Sequence, residues 1–224
     1  MKKSRVAFLT PFSPHRADSG GTQVSLQRLK ALCEVADVDV FSLYDVSEAR
    51  EALRAQAPIH ELYQAGSLRG RNLVNFLRSV VSGLPLSVWR NSEPTFLRMA
   101  ELHGTEVYDV IYIDHWLMWS AAKHFTAAKR RILHLHNAEH LLFSRAKEGK
   151  SALLRGVLSW EASRAAAFLV KIAAACDETH FLSPVDQAAL IKLGVRENTT
   201  RAFFPAVDVH AEEFCKEFAF FRYA

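Results

Sequence analysis

The chain has 224 residues, half of them hydrophobic and 23% charged, enough apolar material for a sizeable core and too much for a disordered or fibrous protein. With 28 basic against 24 acidic side chains the net charge is +4. That falls short of the basic stripe of a dedicated nucleic-acid binder, so no nucleic-acid partner is expected. The three cysteines, Cys33, Cys176 and Cys215, are odd in number and far apart, which suits buried thiols in a reducing compartment rather than a disulfide framework.

The first residues are basic, but the apolar run behind them, residues 6–9, is too short for the core of a signal peptide. The longest apolar stretch, residues 165–176, is interrupted by Lys171 and is shorter than the roughly 20 residues of a spanning helix. A cytoplasmic location follows as the expectation, with peripheral contact at the inner membrane face as its one extension.

In chain order, residues 5–10 form a short apolar run stopped by Pro11 and Pro14, a strand buried on two faces. Residues 22–33 carry Leu26, Leu29 and Cys33 at helical spacing, and residues 38–43 give a second strand. Residues 68–90 read as an insertion: Leu73, Phe76, Leu77 and Val80 recur at helical spacing beside Arg69, Arg71 and Arg78, before a break at Gly83 and Pro85 leads to Trp89 and Arg90. Glu93 and Glu101, eight apart on a helical pattern, are most simply solvated. Residues 109–114, 131–136 and 178–182 are further strands, each followed by a helical pattern; the longest, 151–175, carries Trp160 and Phe168 on similar faces and is expected to pack across the sheet. The alternation predicts an α/β chain with a doubly wound parallel sheet and helices on both faces.

Three places could carry chemistry. After the first strand, Gly20, Gly21 and Thr22 stand at a helix start, where glycines let an anionic ligand approach the helix N–H groups; the full G-x-G-x-x-G is absent, and a plain turn is the other reading. At the end of the 131–136 strand lies His134-Leu135-His136-Asn137-Ala138-Glu139-His140. Alternation sends His134 and His136 to one face, whereas His136 and His140 are neighbours only if the helix starts early. The glutamate stands third after His136, where the zinc-protease pattern H-E-x-x-H needs it directly after the first histidine. A single functional His136 and packing or capping histidines both stay open. The third place is Asp114-His115-Trp116, with Asp114 either functional or capping the next helix. Ser183 and Pro184 read as the N-cap and first position of a helix.

Taken together, Phe8-Leu9-Thr10-Pro11 with Gly20-Gly21-Thr22, Tyr108 to His115, His134 to Glu139, Phe181 to Asp186 and the closing Phe204-Pro205-Ala206-Val207-Asp208 resemble, in order and spacing, the N-terminal domain of family-4 glycosyltransferases. These are retaining, nucleotide-sugar-dependent enzymes of the GT-B fold, and the resemblance covers about residues 5–208. It implies a Rossmann-like domain over 1–208, one half of a GT-B architecture holding mainly the acceptor, with 209–224 a tail or the start of a link. It further implies transfer of a sugar from a nucleotide sugar to a glycan or lipid-linked acceptor in cell-surface polysaccharide synthesis. His136 would contact the transferred sugar as the catalytic residue; Gly20, Gly21, Thr22, His115, Asn137 and Glu139 would bind donor or acceptor. No metal and no cofactor beyond the nucleotide sugar is implied.

The family's donor-side half, with its E-x7-E segment, has no counterpart in the sequence, Glu93 and Glu101 lying in the wrong half. The expectation is therefore a half-enzyme, with a further domain or a partner chain completing the cleft, and inactive by itself. Residues 68–90 would give it peripheral contact with a membrane. Two alternatives stand beside this reading: a non-catalytic module that binds a glycan or a partner, and a metal-assisted hydrolase built on Asp114, His115, His134, His136 and Glu139.

Overall fold

A computed structural model describes residues 3–12, 20–43, 47–64 and 72–203. The chain runs β1 (Ser4–Thr10), α1 (Gly20–Val35), β2 (Ala36–Ser42), α2 (Ser47–Gln56), β3 (Glu61–Gln64), α3 (Asn72–Ser82), α4 (Leu86–Arg90), α5 (Pro94–His103), β4 (Val110–Asp114), α6 (Trp119–Ala122), β5 (Arg130–Leu135), α7 (Glu139–Arg145), α8 (Ala152–Ala174), β6 (Glu178–Phe181), α9 (Pro184–Lys192) and β7 (Thr200–Ala202). All the strand pairings are parallel. They build one seven-stranded sheet of order β3-β2-β1-β4-β5-β6-β7.

Strand alternation divides the core in two. Val6, Phe8, Val38, Val40, Val110, Tyr112 and Ile132 point to one face, where they meet Leu26, Leu29 and Leu32 of α1 and Leu53 of α2. Ala7, Leu9, Phe41, Ile111, Ile113, Leu133 and Leu135 point to the other, under Val88, Phe96, Trp116, Phe168, Leu169 and Leu190 from the helices after β3. Both faces are covered, so the strands can be apolar along their whole length. The connections after β1 and β2 use the first face and those after β3 use the second. The order therefore reverses between β1 and β4, and a doubly wound sheet opens its ligand crevice at the carboxyl ends of the strands on either side of such a reversal.

The expected strands and the doubly wound plan match the fold. The α2 and β3 elements and the three-residue β7 carry too little apolar periodicity to have been anticipated. Glu93 is not a solvated side chain: its carboxylate accepts from the Phe96 N–H at 2.8 Å and caps α5, with Pro94 in the first turn. The expectation for α8 needs division. Phe168 is in the core, whereas Trp160 stands 40% exposed and packs on Phe76 of α3, ring centroids 5.8 Å apart. Cys33 and Cys176 are buried free thiols, and burial pushes both up to about 12; Cys215 lies outside the described residues. No described helix is long and apolar enough to cross a membrane.

Away from the crevice, Asp39 ties three strands together. Its fully buried carboxylate accepts from Arg5 Nε and Nη2 of β1 at 3.0 and 2.6 Å and from Tyr108 Oη, ahead of β4, at 2.9 Å, and lies 2.7 Å from His60 Nδ1 at the entry to β3. Removing one partner of a buried pair costs about 3–5 kcal/mol, but Arg5 is a third exposed and keeps a second contact, with Glu106 at 2.7 Å. Asp39→Ala is therefore expected to lower stability by roughly 2–3 kcal/mol in denaturant melts and to leave ligand affinity unchanged, because Asp39 lies in mid-strand and not at the crevice.

Candidate functional site

The crevice is assembled from the ends of β1, β4 and β5. At its floor Asp114, the last residue of β4, is completely buried. One of its oxygens, Oδ1, lies 2.9 Å from His134 Nδ1 and 2.9 Å from His136 Nε2. Strand alternation explains the meeting: His134 faces Asp114 across the parallel β4–β5 pair, and His136, two residues on, emerges on the same side just past the strand. A carboxylate accepts only, so both facing ring nitrogens carry the proton. That choice leaves His136 Nδ1 as the atom available to a ligand.

Burial alone would raise Asp114, but its electrostatic attraction to the His136 ring and the hydrogen bonds from both histidines override it and hold the carboxyl far below its ordinary range. His134 is also lowered, for a different reason: burial pushes it down to about 3, against the Asp114 hydrogen bond. Near neutral pH these shifts keep the carboxylate ionised and the His134 ring neutral.

The Nδ1 atom of His136 looks at the first turn of α1. A Cβ built on Gly21 would sit 3.3 Å from it and 3.9 Å from the Phe12 ring, so a hydrogen at this position lets the ring and the helix start lie side by side. Gly20 and Gly21 are the first residues of α1 itself rather than a turn ahead of it, and Thr22 is half-buried beside them. First-turn N–H groups have no intrahelical acceptor and carry the positive end of the helix dipole.

The opposite wall is His115. Its ring lies 5.3 Å from that of His136, centroid to centroid, and its Nε2 is 3.3 Å from Glu139 Oε1. The Leu117 N–H donates to its Nδ1 at 3.5 Å, so Nε2 carries the hydrogen that faces Glu139. His115 is the single non-glycine residue with positive φ among those described, at φ 93° and ψ 137°. Backbone strain of this kind costs of order 1–3 kcal/mol and persists only where the surroundings impose it. Here the His115 N–H is held by the His134 carbonyl at 2.9 Å and its carbonyl by the Met118 N–H at 3.1 Å.

Of the expected residues, Gly21, His115, His136 and Glu139 thus lie close together, Gly20 and Thr22 adjoin Gly21 in the first turn of α1, and Asn137, next to His136 in the chain, is exposed. Asp114 does not cap the following turn, as one reading had it; the His115 ring does, and Trp116 is buried in the core. His140 stands in the first turn of α7, which starts only at Glu139. Ser183 caps α9 as expected, its Oγ accepting from the Asp186 N–H at 3.1 Å. A residue the sequence did not reveal is Asp186 itself: it accepts from the Ala138 N–H at 2.9 Å and from Ser183 Oγ at 2.6 Å, fixing the loop that carries His136 and Glu139.

Asp114, His134 and His136 are also the one group among the described residues whose ligand atoms gather closely enough to hold a metal, within 4.8 Å of one another. Asp114 Oδ2 has no hydrogen-bond partner. Both imidazoles, however, share Oδ1 at hydrogen-bond distance, against about 2.0–2.1 Å for a zinc–nitrogen bond, so an ion would have to replace both hydrogen bonds.

Acidification is expected to unfold the site from its floor. An unfolded chain binds a proton at His134 below the ordinary 6.5 and at Asp114 below 3.8, whereas the folded chain resists both. The unfolded state therefore holds more protons on the acid side, and stability present near neutrality is lost as pH falls. Thermal midpoints taken from about pH 7 down to about pH 4 should decline, and His134→Gln should flatten that slope. An unaltered slope in the variant would mean that His134 titrates freely in the folded protein.

No family model and no curated protein matches the sequence. Solved structures that share the fold include two of Anabaena Alr3699/HepE: one in complex with UDP and glucose, with TM-score 0.51 and 16% identity over 91% of this chain and 45% of that one. The other, in complex with UDP-glucose, matches with TM-score 0.51 and 15% identity over 91% of this chain and 44% of its counterpart. The chain thus spans less than half the length of HepE, and what it shares with that protein is the α/β fold with its parallel sheet.

Proposed function

We propose that the chain is the acceptor-side half of a nucleotide-sugar-dependent glycosyltransferase of the retaining family-4 type, working at the cytoplasmic side of the membrane in cell-surface polysaccharide synthesis. The observation that carries the reading is the pairing of His136 Nδ1 with the first turn of α1 at the reversal point of the sheet. A nucleotide sugar needs two things there, a partner for a sugar hydroxyl and a positive surface for the diphosphate, and the pair supplies both. The likeness to HepE, a protein solved with UDP-glucose, supports it.

The chemistry follows from the hydrogen-bond order. Asp114 fixes the His136 ring with Nε2–H turned inward, so Nδ1 accepts a hydroxyl proton of the sugar without reorienting. As the glycosidic bond to the diphosphate breaks, charge grows on the leaving oxygen, and the N–H groups of α1 are already aimed at it. His115 and Glu139 face the same space from the other wall and orient the acceptor hydroxyl, a glycan's or that of a lipid-linked sugar. A second domain or a partner chain closes the donor side.

With one wall of the crevice present, UDP-glucose should bind weakly, with a dissociation constant of roughly 1 mM or above. In an NMR titration the amide signals of Gly20, Gly21 and His136 should move first, and UDP should move those of α1 alone. No shift at roughly 10 mM ligand, or a shift confined to another face, would end the reading. In a complete enzyme carrying this half, His136→Ala should lower turnover by about 10²–10³-fold, the usual effect of one preorganised hydrogen bond, and lower the melting temperature as well, because the buried Asp114 carboxylate loses one of its two donors. Lost stability with unchanged turnover would instead make His136 a core histidine.

A further inference from the structure

The α3 helix is mounted inside out. Its one fully buried side chain among those described is Ser79, and polar contacts hold it there: Ser79 Oγ donates to the Leu84 carbonyl at 3.0 Å, and Arg164 of α8 donates to Ser79 Oγ at 3.1 Å, to the Ser79 carbonyl at 2.8 Å and to the Leu84 carbonyl. Glu161, buried beside Arg164 at 2.9 Å, accepts from the Leu86 N–H and fixes the Gly83 turn that ends the helix. Gly83 itself has φ 70°. Meanwhile the aliphatic side chains point to solvent: Leu77 is 55% and Val81 90% exposed. An ordinary amphipathic helix buries that stripe and exposes its serine and arginine.

Across the contact between Phe76 and Trp160 the same pattern continues on α8. Its amino-terminal half leaves the sheet with Leu153 82% exposed and Val157 and Trp160 partly so. Exposed aliphatic groups on two adjoining helices make a patch of the kind that marks an interaction surface. Charge identifies the occupant. Residues 62–92 carry four arginines and no acidic residue, and residues 140–160 carry Arg145, Lys147, Lys150 and Arg155 against Glu148 alone. Among the described residues of these segments Arg78, Arg90, Arg145, Lys147, Lys150 and Arg155 stand against Glu148 alone, so the helices that carry the exposed aliphatic groups lie in strongly basic stretches of the chain.

We infer that α3 and the amino-terminal half of α8 form a docking surface for an anionic lipid bilayer, with the aliphatic side chains entering the acyl boundary, Trp160 at the headgroup level and the arginines and lysines among the phosphates. Apolar burial combined with attraction to anionic headgroups is how interfacial helices bind. A second copy of the chain fits less well, since a two-fold interface would set one basic patch against another. The α4 helix, which follows α3, packs on the turn after His115 and so links the element that carries the patch to the segment that carries His115. The inference deepens the proposed function by placing the crevice beside a membrane that could present a lipid-linked acceptor, and it rests on that function only for the acceptor's identity.

Flotation of the chain with vesicles, without any nucleotide sugar, tests it separately from the sugar chemistry. The wild type should float with phosphatidylcholine vesicles containing about 30% phosphatidylglycerol and remain below with phosphatidylcholine alone. The double variants Leu77→Ser/Val81→Ser and Lys150→Glu/Arg155→Glu should each reduce the bound fraction by about tenfold. All four positions are exposed, so circular-dichroism melts should match the wild type. Binding that is absent in the wild type, or equal in all three proteins, overturns the inference. So does a wild-type dimer in sedimentation velocity that the same substitutions dissolve, because the face would then belong to a second copy.

Discussion

A single buried carboxylate organises the crevice. Asp114 carries a full charge with none of its surface exposed, and such a charge is tolerable only when donors meet it. Two imidazoles meet that demand on one oxygen, and in doing so they lose their freedom: His134 is fixed as a neutral donor within the sheet, and His136 is fixed with its other nitrogen outward. The polar pair is therefore a device for orientation more than for stability, because a well-packed apolar replacement could fold as well. What an apolar floor could not do is decide which nitrogen of His136 faces the ligand.

The rest of the site follows from that floor. With Asp114 at the end of β4 committed downward, the next residue must turn sharply for the chain to leave the sheet, and His115 takes a backbone conformation that suits glycine. A histidine is kept there although its backbone is strained, and its ring lands against Glu139 and beside His136. The Asp186 carboxylate, in the first turn of α9, holds the far end of the same arc through the Ala138 N–H. Carboxylates thus add polar ties at the ends of β4 and β5 and at the start of α9 to the apolar core and ladder bonds that already join these strands.

The sheet was legible in the sequence because its central strands are buried on both faces and read as unbroken apolar runs. The elements that escaped notice, α2 and β3, sit at one edge, where little apolar surface is buried and periodicity fades. Of the site, Gly20, Gly21, His115, His136 and Glu139 could be named because each stands next to the end of a strand or the start of a helix. The role of Asp114 could not: a carboxylate before a helical turn reads equally as a cap, and only the register of β4 against β5 sets it opposite His134. Asp186 was hidden for the same reason, lying 48 residues from the Ala138 amide it accepts from. Glu93, read as solvated, had the cap signature of a polar residue directly before a proline at a helix start.

The inside-out α3 shows how a fold can hold apolar groups in water without collapsing around them. Free in solution, Leu77 and Val81 would turn inward at the first opportunity, and the gain from burying each would be roughly 1–3 kcal/mol. Rotating the helix to do so would pull Ser79 away from Arg164 and leave a guanidinium beside Glu161 with two carbonyl acceptors missing. Hydrogen bonds to a charged group are worth about 1.5–3 kcal/mol each, and the loss of several at once exceeds what two aliphatic side chains recover. The Arg164 stem is further held by its guanidinium lying 4.3 Å from the centre of the Trp160 ring, so the same residue that anchors α3 also keeps Trp160 at the patch. Polar contacts inside therefore fix the apolar surface outside.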